Sequence, residues 1–439
     1  MNISMFGAGY VGLVSGVCFS EFGNRVTLID VDTERIEMLK SGHSPVYEFG
    51  LESCLQRNIR TGRLCFSTDV RQGILQADVI FIAVGTPPAQ NGSADLHAIC
   101  EVAETIGMHM NGYKLIVNKS TVPVGTARQV ADIIREQLNK RGAEFDFDMA
   151  SNPEFLREGR AMEDFMKPQR VLIGTDSELA RAALLDVYRP LVYKEVPFVF
   201  TDMHTAEMAK YASNAFLAVK ITFMNEMANL CEKLGANVQQ VAEAMGIDSR
   251  IGPEYLNAGP GFGGSCFPKD IHALAGVGRA TKTPMRLLEA TMEANEAQKQ
   301  RMVDKIQNRM GVVLGKQIAV LGLTFKPETD DMREAPAIHI VEALAKKGAR
   351  IRVFDPQGMP NARQVFSALG NQIEYAADVY EAVAGCDATV LLTEWEQFAK
   401  LNLTRVKESM CGRNFFDFRN VFKRKTMEDL GFEYEGIGV

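Results

Sequence analysis

The chain opens with a pattern that few folds accommodate: a short apolar run, a glycine-rich turn, a helical pattern and a second apolar run. Residues 2–6 lead into Gly7, Gly9 and Gly12, which form a G-x-G-x-x-G turn. The first glycine permits the tight turn, the second lets the backbone approach a pyrophosphate, and the third lets helix and strand pack closely. The second apolar run ends in Asp30, where a carboxylate hydrogen-bonds a ribose diol and repels a 2′-phosphate. This unit predicts binding of NAD rather than NADP, although Arg35, one turn into the next helix, is of the type that accommodates a phosphate.

The remaining apolar pattern predicts two α/β domains with helices between them. Strand-like runs alternate with helical patterns, which indicates a parallel sheet covered on both faces. Apolar residues then recur at steps of three and four from about 205 to 234, the signature of one long helix. The alternation returns after Gly315. We predict two Rossmann-like doubly wound parallel-sheet domains joined by a long central helix and a helical dimerisation region. The predicted domains are 1–200, 201–310 and 311–439, and the predicted strands include 79–84, 115–118, 171–173, 318–321, 351–354, 390–392 and 415–418.

Composition excludes several classes of partner. The net charge is −7 with no block of like charges, so no nucleic-acid-binding arm is expected. No apolar run reaches the roughly 18 residues of a membrane span, and the N-terminus lacks the basic region of a signal peptide. The eight cysteines form no C-x-x-C pair and the six histidines are dispersed. We therefore expect a cytoplasmic protein with reduced thiols and no metal site.

The densest functional signal is a loop that reads G-P-G-F-G-G-S-C-F-P-K-D over residues 259–270. So many glycines cost chain entropy, and such loops usually serve close approach to a ligand. Pro268 suits the first turn of a helix. That places Cys266 just ahead of a helix N-terminus and near Lys269, where a thiolate is stabilised. We predict that Cys266 is reactive and that the other seven cysteines are structural.

Lys210 and Asn214 lie four residues apart, and therefore on one face of the long helix. A lysine on a mostly apolar helix needs a partner or a task, unless it is simply a solvated surface residue. Asp270 is the expected counter-charge for Lys210.

Two carboxylates and two threonines add further candidates. Glu154 and Glu158 lie four residues apart next to a proline turn. They are interpreted either as a general base and a ribose ligand or as an ordinary pair on a helical turn. Thr86 and Thr121 follow apolar strands, where ligands of open α/β sheets collect. Residues 322–327 and 330–334 also lie where a strand meets a helix. They contain Lys326 and Arg333, whose cationic side chains are suited to binding phosphates or the cofactor.

These segments together resemble one family. The motifs G-A-G-Y-V-G, N-P-E-F-L-R-E-G, K-Y-A-S-N-A-F-L-A, G-F-G-G-S-C-F-P-K-D and G-L-T-F-K-P-E-T-D-D-M-R-E occur in this order over essentially the whole chain. They resemble those of the UDP-glucose/GDP-mannose dehydrogenase family, in the branch that acts on UDP-glucose. The resemblance implies a four-electron oxidation that uses two NAD molecules in succession. It also implies that Cys266 forms a thiohemiacetal and then a thioester, which water hydrolyses to the uronate.

The resemblance assigns roles to the candidate residues. Lys210 stabilises an oxyanion, Asn214 and Asp270 orient Lys210 and a water, Glu154 is the candidate base, and Thr121 holds a water beside it. The family's cofactor contacts correspond to Tyr10, Val11, Asp30, Arg35, Thr86, Thr121, Glu158, Lys269 and Arg333. Its sugar-nucleotide contacts correspond to Glu154, Phe155, Leu156, Arg157, Glu158, Lys210, Asn214, Tyr255, Leu256, Asn257, Ala258, Gly259, Gly263, Phe325 and Lys326. Arg250 corresponds to an arginine that reaches the neighbouring subunit's substrate, which implies a homodimer, and Arg419 is a weaker match.

Other functions stay open on the sequence alone. GDP-mannose is the second substrate to consider, and a UDP-N-acetylhexosamine is the third. A non-catalytic NAD-binding sensor would need neither Cys266 nor Lys210, and a two-electron hydroxyacid dehydrogenase would yield one NADH per substrate rather than two. The fate of the product, whether capsule, other exopolysaccharide or lipid A modification, is not encoded in these motifs.

Overall fold

A computed structural model describes residues 1–89 and 94–439. The chain divides into two compact units, residues 1–213 and 214–439, and the boundary falls inside a long helix. The three-part division at residues 200 and 310 stays a prediction of the sequence.

The first unit alternates strands and helices along its length. Its strands are β1 Asn2–Phe6, β2 Arg25–Ile29, β3 Leu64–Ser67, β4 Val79–Ile82, β5 Lys114–Asn118, β6 Phe147–Ser151, β7 Val171–Gly174 and β8 Phe198–Thr201. Its helices are α1 Tyr10–Glu21, α2 Thr33–Lys40, α3 Leu51–Arg60, α4 Val70–Gln76, α5 His97–His109, α6 Thr126–Lys140, α7 Ala161–Met166, α8 Glu178–Val187, α9 Arg189–Tyr193 and the first part of α10 Met203–Leu234.

The strands of this unit form one sheet in the order β3-β2-β1-β4-β5-β6-β7-β8. The pairs from β3 to β6 are parallel, as predicted. At β7 the direction reverses, because Ser151 and Gly174 pair in antiparallel register, and β8 then runs parallel to β7. Apolar clusters cover both faces of the sheet, so its strands are buried on both sides and read as continuous apolar runs.

The second unit contains the rest of α10 and a second alternating region. Its other helices are α11 Val238–Ile247, α12 Phe267–Ala280, α13 Arg286–Met310, α14 Pro336–Lys346, α15 Met359–Val365, α16 Val379–Val383, α17 Glu396–Ala399, α18 Leu403–Ser409 and α19 Arg424–Asp429, with a 3₁₀ helix at Ser367–Gln372. Its strands are β9 Gln317–Leu321, β10 Arg350–Phe354, β11 Ile373–Tyr375, β12 Ala388–Leu391, β13 Asn414–Asp417 and β14 Glu433–Glu435.

These six strands form a fully parallel sheet in the order β11-β10-β9-β12-β13-β14. This is the doubly wound order in which the first strand lies in the middle and the chain winds outward in both directions. The prediction of two Rossmann-like sheets and a long helix is confirmed. The strands that the apolar pattern did not indicate include β11 and β14, which are three residues long and lie at the two edges of the sheet.

The helical middle of the chain follows the prediction with one refinement. Helix α10 has 32 residues, which corresponds to a rod of about 48 Å. The helical region expected from about 271 to 310 consists of α12 and α13, which a short turn separates. Within residues 1–89 and 94–439 we find no helix with the length and apolar composition of a membrane span. The same part of the chain holds no group of three or more His, Cys, Asp or Glu side chains placed to bind a metal ion.

Candidate active site

The glycine-rich turn of the first unit is shaped for close approach by a ligand. Gly7 has φ +98°, and a Cβ added there would lie 2.6 Å from the Ala83 carbonyl oxygen. A Cβ added at Gly12 would lie 1.9 Å from the Gly7 carbonyl oxygen. At Gly9 the space is open, since no described atom lies within 4 Å of such a Cβ. Helix α1 also begins without a side-chain cap. The turn therefore fits the pyrophosphate of NAD, which would accept hydrogen bonds from the helix N-terminus.

Asp30 directly follows β2, where an acidic residue that hydrogen-bonds the ribose of NAD is expected. Its carboxylate accepts a hydrogen bond from the Ala8 N–H at 2.7 Å, which ties it to the glycine turn. Arg35 forms an ion pair with Asp30 at 3.2 Å and another with Asp32 at 3.3 Å. Two carboxylates thus neutralise the guanidinium of Arg35. The 2′-phosphate of NADP would have to compete with both carboxylates for the Arg35 guanidinium. This arrangement therefore again favours NAD over NADP.

A buried carboxylate connects the cofactor turn to the segment 154–159. The Tyr10 hydroxyl donates a hydrogen bond to Glu48, and the Gly159 N–H donates to the same carboxylate at 2.7 Å. Burial is the main cause that raises the pKa of Tyr10, and the hydrogen bond to Glu48 and the charge of Glu158 act in the same direction. Tyr10 and Val11 are the first two residues of α1. Glu48 therefore links the start of this helix to the expected sugar-binding segment.

Lys210 and Glu154 form a buried ion pair in the first unit. The Lys210 ammonium lies 3.0 Å from the Glu154 carboxylate, and their side chains are only 4% and 5% exposed. The ammonium also lies 5.2 Å from the centre of the Phe155 ring, on which the Arg170 guanidinium stacks. Within the first unit, Glu154 is the counter-charge of Lys210. The two partners are 56 residues apart in the chain, so helical spacing could not reveal the pair. The expected pairing of Lys210 with Asp270 stays a prediction, because Asp270 belongs to the second unit.

The segment that carries Glu154 is a non-helical turn. The Leu156 N–H donates to the Glu154 carboxylate, and Arg157 forms an ion pair with Asp164 at 2.6 Å. The reading of Glu154 and Glu158 as an ordinary pair on a helical turn is therefore wrong. The turn holds Glu154 towards Lys210 while Arg157 anchors the segment to α7.

Two further groups flank this ion pair. The Thr86 hydroxyl donates to the Thr121 carbonyl oxygen at 2.9 Å, so the loops after β4 and β5 are hydrogen-bonded to each other. Lys119 is fully buried, and this burial lowers the pKa of its ammonium to about 8. Its Nζ donates to the Asn152 carbonyl oxygen at 3.2 Å, beside the start of the segment 154–159.

In the second unit, three buried amide side chains hold the glycine–cysteine loop. The Gly259 N–H donates to Asn225 Oδ1 at 2.8 Å, and the Phe262 N–H donates to Asn295 Oδ1 at 2.8 Å. Gln298 Nε2 donates to the Gly259 carbonyl oxygen at 2.9 Å. These bonds satisfy backbone groups that a loop of small residues would otherwise bury unpaired. The loop is thereby fixed in one conformation despite its glycines.

Cys266 ends this loop and directly precedes α12, with Pro268 in the first helical turn. The predicted helix start is confirmed. Cys266 is partly exposed, and its sulfur lies 3.5 Å from the Ser265 hydroxyl. One turn further, Asp270 is 1% exposed, accepts a hydrogen bond from Asn214 Nδ2 at 2.6 Å and pairs with Lys269 at 2.8 Å. The thiol thus lies at the positive end of a helix, beside a fixed polar cluster.

Close packing around the loop explains its paired glycines. A Cβ at Gly263 would lie 2.2 Å from the Glu334 carbonyl oxygen, and one at Gly264 would lie 2.8 Å from the Phe325 ring. The Gly264 N–H donates a hydrogen bond to the Arg333 carbonyl oxygen at 2.8 Å. The second unit therefore brings the loop together with the segment 325–334 that the sequence assigns to phosphates and cofactor.

The remaining predicted substrate contacts take several environments within the second unit. Arg419 donates to the Phe325 carbonyl oxygen at 3.2 Å and forms an ion pair with Glu394 at 3.0 Å. Its guanidinium also lies against Gly259, where a Cβ would come within 2.9 Å. Lys326 lies over the Phe325 ring at 5.6 Å. Leu256 and Ala258 are core residues, Asn257 is exposed, Tyr255 has φ +65°, and Arg250 projects outward with 87% of its side chain exposed.

Some residues that build the site went unnoticed in the sequence. Glu48, Glu207, Asn225, Asn295 and Gln298 are buried polar residues. Four of the five lie on helices, and a polar residue on the buried face of a helix is the signal that could have identified them. That signal does not reveal the partner, because each of these side chains bonds to a segment distant in the chain.

Comparison with known proteins decides the family. Models of the NAD binding domain, the central domain and the UDP binding domain of the UDP-glucose/GDP-mannose dehydrogenase family match residues 1–192, 204–297 and 319–424. The chain belongs to this family. It is 48% identical to the UDP-glucose 6-dehydrogenase of Rhizobium meliloti, over all of this chain and 99% of that protein. It is 46% identical to the UDP-glucose 6-dehydrogenase TuaD of Bacillus subtilis, over all of this chain and 93% of that protein.

The solved structures agree with this membership. A UDP-glucose dehydrogenase from Pyrobaculum islandicum superposes with a TM-score of 0.91 at 39% identity, and the match covers all of this chain and 97% of that one. As a member of the UDP-glucose/GDP-mannose dehydrogenase family, the chain is an NAD-dependent oxidoreductase. Its first unit contains the family's NAD binding domain and its second unit contains the UDP binding domain. The prediction of NAD as cofactor is confirmed.

Proposed function

We propose that this protein oxidises UDP-glucose to UDP-glucuronate with two molecules of NAD, through a covalent intermediate on Cys266. The observation that carries the proposal is the placement of Cys266 between a fixed glycine loop and the N-terminus of α12. A helix N-terminus stabilises a thiolate, which is the nucleophilic form of cysteine. The identity to UDP-glucose 6-dehydrogenases over the full chain supports the substrate and the reaction.

The proposed sequence has two oxidations and one hydrolysis. Loss of a hydride from C6 and of a proton from the C6 hydroxyl gives an aldehyde, and the Cys266 thiolate adds to that carbon to form a thiohemiacetal. Loss of a second hydride gives a thioester, and water then replaces the sulfur and releases the carboxylate. Bound NAD supplies the hydride acceptor for each oxidation. Covalent capture keeps the aldehyde from diffusing away between the two steps.

Lys210, Glu154 and Thr121 have distinct proposed tasks. The buried Lys210 ammonium stabilises the oxyanion of the tetrahedral species, a contribution of typically several kcal/mol. Glu154, its ion-pair partner at 3.0 Å, is the proposed base for hydrolysis. Thr121 holds the attacking water. Asn214 is one turn after Lys210 on α10 and hydrogen-bonds Asp270, four residues after Cys266, and this pair is proposed to orient Lys210 and the water.

GDP-mannose is the second candidate substrate, because the family includes enzymes for both nucleotides. UDP-glucose is favoured by the loop sequence G-F-G-G-S-C-F and by the full-length UDP-glucose 6-dehydrogenase relatives. A UDP-N-acetylhexosamine is less favoured on the same grounds.

Counting NADH per substrate tests this proposal. We expect two NADH for each UDP-glucose consumed and one UDP-glucuronate formed, and a kcat/KM for UDP-glucose above those for GDP-mannose and UDP-N-acetylglucosamine. Thermal unfolding should show the same preference, since a ligand that binds the native state raises Tm. One NADH per substrate would indicate a two-electron dehydrogenase instead. Faster turnover of GDP-mannose would overturn the substrate assignment.

We also infer that the protein is a homodimer built along α10. Four apolar side chains lie seven, seven and four residues apart along this helix: Phe216, Phe223, Leu230 and Leu234 are 65%, 46%, 50% and 73% exposed. Contiguous exposed apolar surface of this kind marks an interaction site. A second copy is the proposed occupant, because a two-fold axis lets the same stripe pack against itself. The outward-projecting Arg250 fits the family role of reaching the neighbouring substrate.

Charging this stripe is expected to separate the subunits. Light scattering should give the mass of one chain for the double variant Phe216→Glu, Phe223→Glu and the mass of two chains for the wild type. In a dimer of the variant, the introduced carboxylates would be buried facing each other, which is unfavourable. Leu179→Glu, at a 69% exposed leucine on α8, is the matched control and should leave the mass unchanged. A double variant that keeps the wild-type mass would place the interface elsewhere.

The reducing cytoplasm is the proposed location. Disulfides rarely persist there, so the Cys266 thiol would stay available for catalysis. Capsule synthesis, synthesis of another exopolysaccharide and lipid A modification are the three proposed destinations of the uronate.

A further inference from the structure

The loop that follows β9 in the second unit carries two residues expected to contact the sugar nucleotide, Phe325 and Lys326. It occupies residues 322–335, contains no helix or strand, and lies within the region that matches the family's UDP binding domain. It follows the carboxyl end of a parallel strand, which is where ligands of open α/β sheets bind. The backbone groups of such a loop need partners from other segments, and those partners fix its conformation.

Asp355 supplies several of these bonds. It directly follows β10, the neighbour of β9 in the sheet, and is 1% exposed. Its Oδ2 accepts from the Leu323 N–H at 2.7 Å, and from the N–H and the hydroxyl of Thr324, each at 3.2 Å. The same oxygen accepts from Trp395 Nε1 at 3.1 Å. Its Oδ1 accepts from the N–H groups of residues 357 and 358, at 2.9 Å and 2.7 Å. One buried carboxylate thus joins three segments of the second unit.

The corresponding acid of the first unit has a different environment. Asp30 directly follows β2, as Asp355 directly follows β10, and each accepts a hydrogen bond at 2.7 Å from the residue after a glycine, Ala8 or Leu323. Asp30 remains partly exposed, whereas Asp355 is buried. A carboxylate offers about four acceptor positions, and N–H and O–H groups of the protein already occupy those of Asp355. Asp355 therefore has no capacity left for a ribose diol, and its bonds hold the loop instead.

Further hydrogen bonds extend this restraint from Thr324 to Phe325. Thr393 is buried, and its hydroxyl donates to the Thr324 carbonyl oxygen at 2.6 Å. The Phe325 N–H donates to the Asp331 carbonyl oxygen at 3.1 Å, so the peptide group between Thr324 and Phe325 is bonded at both of its polar atoms. The backbone that carries Phe325 is therefore fixed by the protein itself.

We propose that Asp355 is a positioning residue for the UDP group of the substrate. It holds the loop 322–335 in the conformation that presents Phe325 and Lys326 to the nucleotide. A ligand that binds a preformed loop avoids the entropy cost of ordering it, and its affinity is higher for that reason. The inference rests on the proposed function, because it takes UDP to be the ligand of this loop.

Asp355→Asn tests this role, because it keeps the shape of the side chain. Hydrogen-bond donors surround both oxygens of Asp355, so either orientation of the asparagine turns its NH₂ group towards a donor. Calorimetric titration with UDP alone is expected to give a Kd about tenfold above wild type, with the Kd for NAD within about twofold. The KM for UDP-glucose should rise by a similar factor while kcat stays within about threefold, since the UDP group is bound equally in the ground state and the transition state.

Asp30→Asn is the matched control, since it makes the same substitution at the corresponding position of the first unit. It should raise the Kd for NAD about tenfold and leave the Kd for UDP within about twofold. Trp395→Phe and Thr393→Val each remove one hydrogen bond of the arrangement around the loop. Each is expected to raise the Kd for UDP about twofold to threefold, and they make the same test if Asp355→Asn does not fold.

Two results would overturn the role of Asp355. One is a Kd for UDP that Asp355→Asn leaves at the wild-type value. The other is an equal rise in the Kd for UDP and the Kd for NAD, which would indicate a general loss of structure. A wild-type protein that binds UDP but yields one NADH per UDP-glucose would instead overturn the proposed function and leave the role of Asp355 intact.

Discussion

Cys266→Ala is expected to lower UDP-glucuronate formation by at least about a thousandfold, because it removes the atom to which the substrate becomes bonded. The second oxidation needs a carbon that already carries the sulfur, so this variant should yield at most one NADH per UDP-glucose. Loss of one small, partly exposed thiol should leave the fold intact. NAD and UDP-glucose should therefore still raise the Tm of the variant by the wild-type increments. Product analysis by chromatography and the thermal shifts together check the prediction.

Two other thiols serve as controls for this experiment. Cys65 and Cys411 are exposed, and Cys65→Ala or Cys411→Ala should leave kcat and product yield unchanged. Cys266→Ser distinguishes nucleophilicity from hydrogen bonding, since a hydroxyl is a far weaker nucleophile at neutral pH. Full conversion to the acid by Cys266→Ala at the wild-type rate would contradict covalent catalysis.

Lys210→Met is expected to lower kcat by about a hundredfold to a thousandfold, the usual effect of removing one group that stabilises an oxyanion. It should also lower the free energy of unfolding by about 3 kcal/mol, because Glu154 would remain buried without its ion-pair partner. The double variant Lys210→Met, Glu154→Gln removes both charges of this ion pair. We expect it to recover most of the lost stability but none of the lost activity. Urea unfolding and steady-state kinetics measure the two effects separately.

An exposed lysine–glutamate pair provides the comparison. Lys140 and Glu136 lie 2.8 Å apart on α6 with side chains more than half exposed, so Lys140→Met should cost well under about 1 kcal/mol and leave kcat unchanged. If the double variant at 210 and 154 regained activity along with stability, the ion pair would be structural and Lys210 would have no part in the chemistry.

Local patterns in the sequence sufficed for much of the architecture. The strand–turn–helix–strand unit with Asp30 at its end, the long helix of α10 and the helix start after Cys266 all follow from short-range rules: apolar periodicity, glycine in tight turns and proline in a first helical turn. These rules act between neighbours in the chain. They also failed locally, since the apolar pattern did not indicate the three-residue edge strands β11 and β14. Such short edge strands are held mainly by pairing with a neighbouring strand.

The sequence alone was enough to identify the motifs of the family, the glycine turn expected to bind NAD and the loop that carries Cys266. It also showed the alternation of strands and helices that builds the two sheets. Only the tertiary structure decided which charge faces Lys210, which amides hold the glycine loop, where β7 reverses direction, and which segments Asp355 joins. The physical reason is separation along the chain. A buried charge or amide must find a partner, but the low dielectric that enforces the pairing acts through space, and the sequence records only that a partner is needed.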